Sequence, residues 1–202
     1  MNACGLLGSS LILLACGVTP ACAQSVDTGN EALFELQVTG YAGHGKGSSL
    51  LATALYVEKP LLVQGVSVFA VVHHDREFRA VYTGLARKFG DLQLGLGFGN
   101  AWYEDRRHPT VNPWLNYAGD AVEAFLSAER YGREDREPWF YKGQASWRVA
   151  DSLFVGAYGE KDLGVGPLLA WRNGSVRIWG AIPVVSRPGA GARGVAGVQV
   201  EF

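Results

Sequence analysis

After residue 22 the sequence has no cysteine, and beyond that point no apolar run approaches the ~20 residues a membrane-spanning helix needs. Charge is sparse as well: 18% of the 202 residues are charged and the net charge is −1. There is therefore no basic footprint for nucleic acid and no acidic tail. Without cysteine the later chain has neither disulfides nor thiolate chemistry, which excludes a small oxidised scaffold. No repeat unit, low-complexity tract or interdomain linker stands out, and the length suits one domain.

The cysteines that exist, Cys4, Cys16 and Cys22, lie in an opening stretch that carries no charged side chain. Its apolar centre runs from Leu11 to Ala15, and it ends in Ala21-Cys22-Ala23, a small-residue pattern of the kind cleaved by signal peptidase. Residues 1–23 are expected to be a signal peptide and residues 24–202 the mature domain. The n-region lacks Lys and Arg, which departs from the usual signal. Leu13-Leu14-Ala15-Cys16 offers a second reading, in which Cys16 would carry a lipid.

Alternation dominates the rest. In 92–99, Leu92, Leu94, Leu96 and Phe98 share one face and Gln93, Gly95, Gly97 and Gly99 the other. A period of two means a strand. Phe34, Leu36 and Val38 oppose Glu35, Gln37 and Thr39 in the same way, and Trp139, Tyr141, Trp147 and Val149 oppose Phe140, Lys142, Gln144 and Arg148. Residues 174–182 and 194–202 follow suit. Asn173-Gly174 suits a tight hairpin, and Ala150-Asp151 and Phe89-Gly90-Asp91 are similarly short. Longer, more polar connections alternate with them: 43–48, 73–77, 160–164 and 186–193.

The expected fold is all-β: a closed antiparallel transmembrane β-barrel of about ten strands, eight or twelve being the alternatives. The strands are placed near 32–43, 49–58, 63–73, 77–88, 91–103, 139–149, 152–161, 163–172, 174–184 and 193–202. Residues 104–138 read as a long outer loop with a short amphipathic helix. Asp120 would cap it, with Glu123 three residues on, Val122, Phe125 and Leu126 on one face and Gly132 at its end. A further hairpin projecting above the membrane is the alternative there.

Three features favour a barrel in lipid over a soluble sandwich. The apolar faces carry few charges, whereas the opposite faces hold Glu35, Lys142, Arg148, Arg172, Arg177 and Glu201, which suits a polar lumen. Aromatics gather near strand ends (Trp102, Tyr103, Trp114, Trp139, Tyr141, Trp171 and Trp179), as rings do at a membrane boundary. Glycines recur inside strands, where a crowded lumen tolerates them. In hydrocarbon an open sheet edge leaves backbone groups unpaired, so such a sheet must close.

The last eight residues alternate to the end and stop on an aromatic, with Val198, Val200 and Phe202 in step and Ala196 a weaker match. This resembles the C-terminal strand of bacterial outer-membrane β-barrel proteins. The resemblance implies recognition of Val198, Val200 and Phe202 by the barrel-assembly machinery, a bacterial outer-membrane location, and contact with outer-membrane lipids and lipopolysaccharide. No specific family within that class matches.

Chemistry is thinly marked. His73-His74-Asp75 contains a base beside a carboxylate, but neighbours on a strand point to opposite faces, so both rings would not meet one metal. His44 and Ser48 sit in the first outer loop, where an outer-membrane enzyme acting on lipid A would place a His–Ser pair; the His-x-Ser pattern of the deacylases is absent. His108 reads as a surface residue. No metal site, cofactor or nucleic-acid partner is expected, and a monomer is the default. A structural role, or passive passage of small solutes, is the leading functional expectation. A lipid A-modifying enzyme and a surface-binding barrel working through 104–138 are the rivals.

Overall fold

The structure, a computed structural model, describes residues 32–44, 48–75, 78–103, 106–131, 139–161, 163–184 and 194–202. The signal-peptide reading of 1–23 and the Cys16 alternative fall outside these residues. Twelve strands form one closed barrel. They are β1 Leu33–His44, β2 Ser48–Pro60, β3 Val66–His74, β4 Phe78–Phe89, β5 Leu92–Tyr103, β6 Arg106–Ala118, β7 Val122–Tyr131, β8 Trp139–Ala150, β9 Leu153–Glu160, β10 Gly164–Asn173, β11 Val176–Ala181 and β12 Gly194–Glu201. Every neighbour in the ring is antiparallel, and β1 pairs with β12 to close it. Beyond the ladder itself, Phe202 N–H donates to Phe34 O at 2.8 Å and Phe34 N–H to Phe202 O at 3.3 Å. No edge is left to expose backbone donors to hydrocarbon.

The expected count of ten is corrected to twelve, because 104–138 supplies two more strands. The helix reading of that segment fails on its periodicity. Val122, Leu126 and Arg130 face outward, while Glu123, Ser127 and Glu129 face inward, a period of two throughout β7. Gly119, Asp120 and Ala121 form a short turn, and Glu123 reaches across the lumen instead of closing a capping box. The segment is a hairpin within the barrel wall. Its β6 strand contains Pro109 and Pro113, which lack a backbone donor. The β6–β7 register skips Asn112 and Pro113, and the Asn112 side chain restores bonds to β7 through Ser127 Oγ (2.9 Å) and Ala128 O (3.5 Å).

The short turns between β4 and β5 and between β10 and β11 each hold a glycine at positive φ, Gly90 (62°) and Gly174 (55°), where a side chain would be strained. These turns, those after β2, β6 and β8, and both ends of the closed sheet lie at one rim. The other rim carries the remaining connections. Among the described residues no helix is long and apolar enough to cross a membrane.

Outward faces are apolar: Leu51, Leu85, Phe98, Leu126, Trp147, Leu169 and Ile178 are all exposed. The buried side chains point inward, and most of the buried hydrophobic ones fall in two clusters. One joins Phe154, Tyr158, Leu168, Trp179 and Val195 on β9–β12; the other joins Ala80, Tyr82 and Ala101 on β4 and β5. This inside-out distribution is that of a barrel solvated by lipid.

The aromatic expectation needs one correction. Trp102, Trp139, Tyr141 and Trp171 do face outward, but Trp114, Trp179 and Tyr103 face the lumen. Each lumenal tryptophan lies over the glycine opposite it in register. A Cβ on Gly95 would come within 2.0 Å of the Trp114 ring, and one on Gly197 within 2.6 Å of Trp179. The glycines make room for the rings.

Candidate functional site: the lumen

Sorting of charge between the two faces of the sheet is the main chemical fact of the fold. Among the described strand residues all six carboxylates, Glu35, Glu58, Glu123, Glu129, Glu160 and Glu201, lie on inward positions. Lys88, Arg106, Lys142, Arg148, Arg172 and Arg177 join them. The lumen positions expected from the sequence (Glu35, Lys142, Arg148, Arg172, Arg177 and Glu201) therefore all take the inward register. Sequence reasoning missed Glu58, Glu123, Glu129 and Glu160, which supply most of the organised contacts.

Two of the missed carboxylates follow a tyrosine by two residues, Tyr56-x-Glu58 and Tyr158-x-Glu160. On a strand that spacing puts both groups on one face, so a signal was present. Tyr56 Oη donates to Glu58 at 2.6 Å, Gln93 Nε2 donates to the same carboxylate at 2.7 Å, and Ser67 Oγ donates as well. Tyr158 donates to Glu160, and Tyr41 reaches it from β1 at 3.3 Å. Tyr82 Oη donates to Glu129 at 2.7 Å. Buried carboxylates need such donors.

The fourth missed carboxylate, Glu123, accepts from Arg172 Nη1 at 2.5 Å and lies 3.7 Å from Arg177 Nη2. Arg172 and Arg177 are directly opposite in register across the β10–β11 hairpin, so Glu123 neutralises two like charges that would otherwise face each other. Phe154 lies beneath two guanidinium groups, Arg148 at 5.5 Å and Arg172 at 6.0 Å from its ring. Glu35 and Glu201 are also register partners. Near the short-turn rim, basic side chains thus occupy β8, β10 and β11 around Glu123, and acidic ones occupy β12, β1 and β2.

Several contacts cross the lumen as chords. Trp114 on β6 meets Tyr56 on β2 edge-on, with centroids 6.2 Å apart, and Phe69 on β3 at 5.4 Å. Tyr41–Glu160, Arg177–Glu123 and Tyr56–Trp114 each join strands four places apart in the ring. A twelve-stranded barrel is wide enough to hold a channel, and these side chains narrow it.

The histidines do not converge. His73 points inward beside Phe78 (ring centroids 5.4 Å), whereas His74 points outward. His44 and Ser48 are the last register pair of the β1–β2 hairpin, and their side chains fall outside the described residues. His108 is not a surface residue but an inward one, opposite Ala101. Among the described residues no group of three or more His, Cys, Asp or Glu is placed to hold a metal ion.

A closed antiparallel sheet with an apolar exterior and a charged, hydrogen-bonded interior defines a transmembrane β-barrel. Solved structures agree. The chain is similar in fold to an outer membrane channel from Pseudomonas putida F1 (TM-score 0.51, 10% identity, 92% of this chain and 99% of that one). It is also similar to the KdgM porin (TM-score 0.50, 12% identity, 84% and 98%). A bacterial polysaccharide outer membrane secretin aligns at TM-score 0.45 and 11% identity over 87% of this chain, which spans 65% of that protein. No protein-family profile and no curated protein matches the sequence. The chain has the closed-barrel fold that these outer-membrane proteins share.

Proposed function

We propose that this protein is a narrow pore of a bacterial outer membrane that passes small polar solutes passively. The observation that carries the reading is the sorting of charge: every strand carboxylate among the described residues faces a lumen that also holds six basic side chains. A barrel serving only as a structural plug gains nothing from exposing charged groups to its interior, since burying ions is costly unless water or partners compensate. The Trp114–Tyr56–Phe69 group narrows the passage, and the acidic and basic arcs, which adjoin where β11 pairs with β12, would orient dipolar solutes as they pass.

In keeping with the sequence resemblance, the chain would be exported on residues 1–23, assembled through Val198, Val200 and Phe202, and remain monomeric. Planar-bilayer recording of the purified, folded protein tests the pore. Discrete conductance steps are expected, and Trp114→Ala is expected to enlarge them. Conductance at lipid background for both proteins would remove the pore reading.

A further inference from the structure

Charge at the short-turn end of the lumen is unevenly matched. Glu123 is one carboxylate between two guanidinium groups: Arg172 Nη1 donates to its Oε1 at 2.5 Å, and Arg177 Nη2 stands 3.7 Å from its Oε2. On the other side of Arg177, Glu201 on β12 and Glu35 on β1 are two carboxylates in direct register. Neither has a basic partner within ion-pair distance among the described residues; Gln199 Nε2 donates to Glu201 at 3.4 Å. Two cations thus divide one anion, while two anions nearby have only an amide.

Arg177 stands between the two groups. It is 5% exposed, and its Nε and Nη2 have no hydrogen-bond partner among the described residues, a costly state for a buried cation. Its register partner on β12 is Gln199, so Glu201, two residues on, is its diagonal neighbour on the same face of the sheet. Diagonal neighbours lie about 7–8 Å apart, within the span of an arginine side chain. Glu35 and Glu201 are both within Coulombic reach of Arg177 where it now stands. Arg172 holds Glu123 by itself and rests on the Phe154 ring, so release of Arg177 leaves the Glu123 carboxylate paired.

From this imbalance we propose that Arg177 is a two-position gate at the short-turn mouth of the lumen. In the position seen in this structure its guanidinium reaches from β11 toward Glu123 on β7, four places round the ring, and closes the space between them. In the other it turns back along the β11–β12 wall, bonds to Glu35 and Glu201, and clears that space. The crossing position keeps the attraction of Glu123 but sets Arg177 against Arg172, its cross-strand partner. The wall position gives up Glu123, separates the two like charges and supplies the acidic pair with a cation. These terms oppose one another, so the two positions lie close in free energy and both are populated. The gating role rests on the pore reading of the lumen; the two positions of the side chain do not.

The test joins crystallography to planar-bilayer recording on the folded full-length protein. A crystal structure of Glu123→Gln is expected to show the Arg177 guanidinium within hydrogen-bond distance of Glu35 or Glu201. Arg177 still directed at residue 123 would overturn the proposal. Should that variant fail to fold, as judged by heat-modifiable migration, Glu123→Asp decides in its place: it keeps a charge for Arg172 but draws the carboxylate back by one methylene, and the same movement of Arg177 is expected. In bilayers the Glu123 variant should conduct about twofold more than wild type, and Glu35→Gln/Glu201→Gln, which leaves Arg177 only the crossing position, about twofold less. Relocation of Arg177 with conductance unchanged in both variants would overturn the gate. Conductance at lipid background for every protein would remove the pore reading and the gate with it, whereas the crystal structures would still decide the two positions.

Discussion

Replacing Glu123 by Gln isolates the interaction on which the lumen's basic arc depends. The carboxylate lies between Arg172 (2.5 Å) and Arg177 (3.7 Å), with side-chain exposures of 34% for Arg172, 11% for Glu123 and 6% for Arg177. Removing one member of a fully buried ion pair costs about 3–5 kcal/mol. Arg172 is one-third exposed, so solvent screens its part, and a loss of about 2–3 kcal/mol is expected. The cost arises because Arg172 and Arg177 are cross-strand partners and like charges placed so are destabilising.

Arg177→Gln should cost far less, about 1 kcal/mol or under. It leaves the Arg172–Glu123 bond in place, and Arg177 Nε and Nη2 have no hydrogen-bond partner among the described residues. The double variant should recover roughly half of the Glu123→Gln loss, an interaction energy that a double-mutant cycle reads directly. Urea unfolding in lipid vesicles, followed by tryptophan fluorescence, supplies the numbers. A Glu123→Gln protein within about 0.5 kcal/mol of wild type, or an Arg177→Gln variant as damaged as Glu123→Gln, would refute the account.

Two further outcomes follow from the packing and the closure. Gly197→Val places a branched side chain where a Cβ alone would come within 2.6 Å of the Trp179 ring, which stacks on Tyr158 at 5.2 Å. A destabilisation of about 1–3 kcal/mol is expected, with a changed near-ultraviolet circular dichroism signal; an unaltered unfolding midpoint would contradict the packing. Phe202→Ala keeps the backbone bonds to Phe34 but removes the terminal aromatic, so the folded protein should be as stable as wild type while less of it reaches the membrane. Equal amounts of heat-modifiable protein in membrane fractions of expressing cells would dispose of the assembly role.

Much of this was legible in the primary structure. Period-two alternation marked the strands outside 104–138 and assigned inward and outward faces correctly in β1, β5 and β8, because side-chain direction on a strand depends only on parity. For the same reason Glu35, Lys142, Arg148, Arg172, Arg177 and Glu201 were recognisable as lumenal, and His73 and His74 as divergent. The 104–138 segment misled because Asp120, Glu123 and Gly132 imitate the punctuation of a helix. Local signals of that kind are worth only about 1 kcal/mol each, less than the ladders that β6 and β7 complete with β5 and β8.

Parity alone could not say which tryptophans serve the lipid boundary. Trp114 and Trp179 turn inward because Gly95 and Gly197 lie opposite them, a pairing set by register across strands. Nor could it place Glu123 between two arginines 49 and 54 residues away. The sequence by itself determined that this chain makes strands with one apolar face and one charged face, since that follows from side-chain alternation. Only closure of the twelve-stranded ring decided which charges meet, because those neighbours are set by register and curvature between strands distant in the chain.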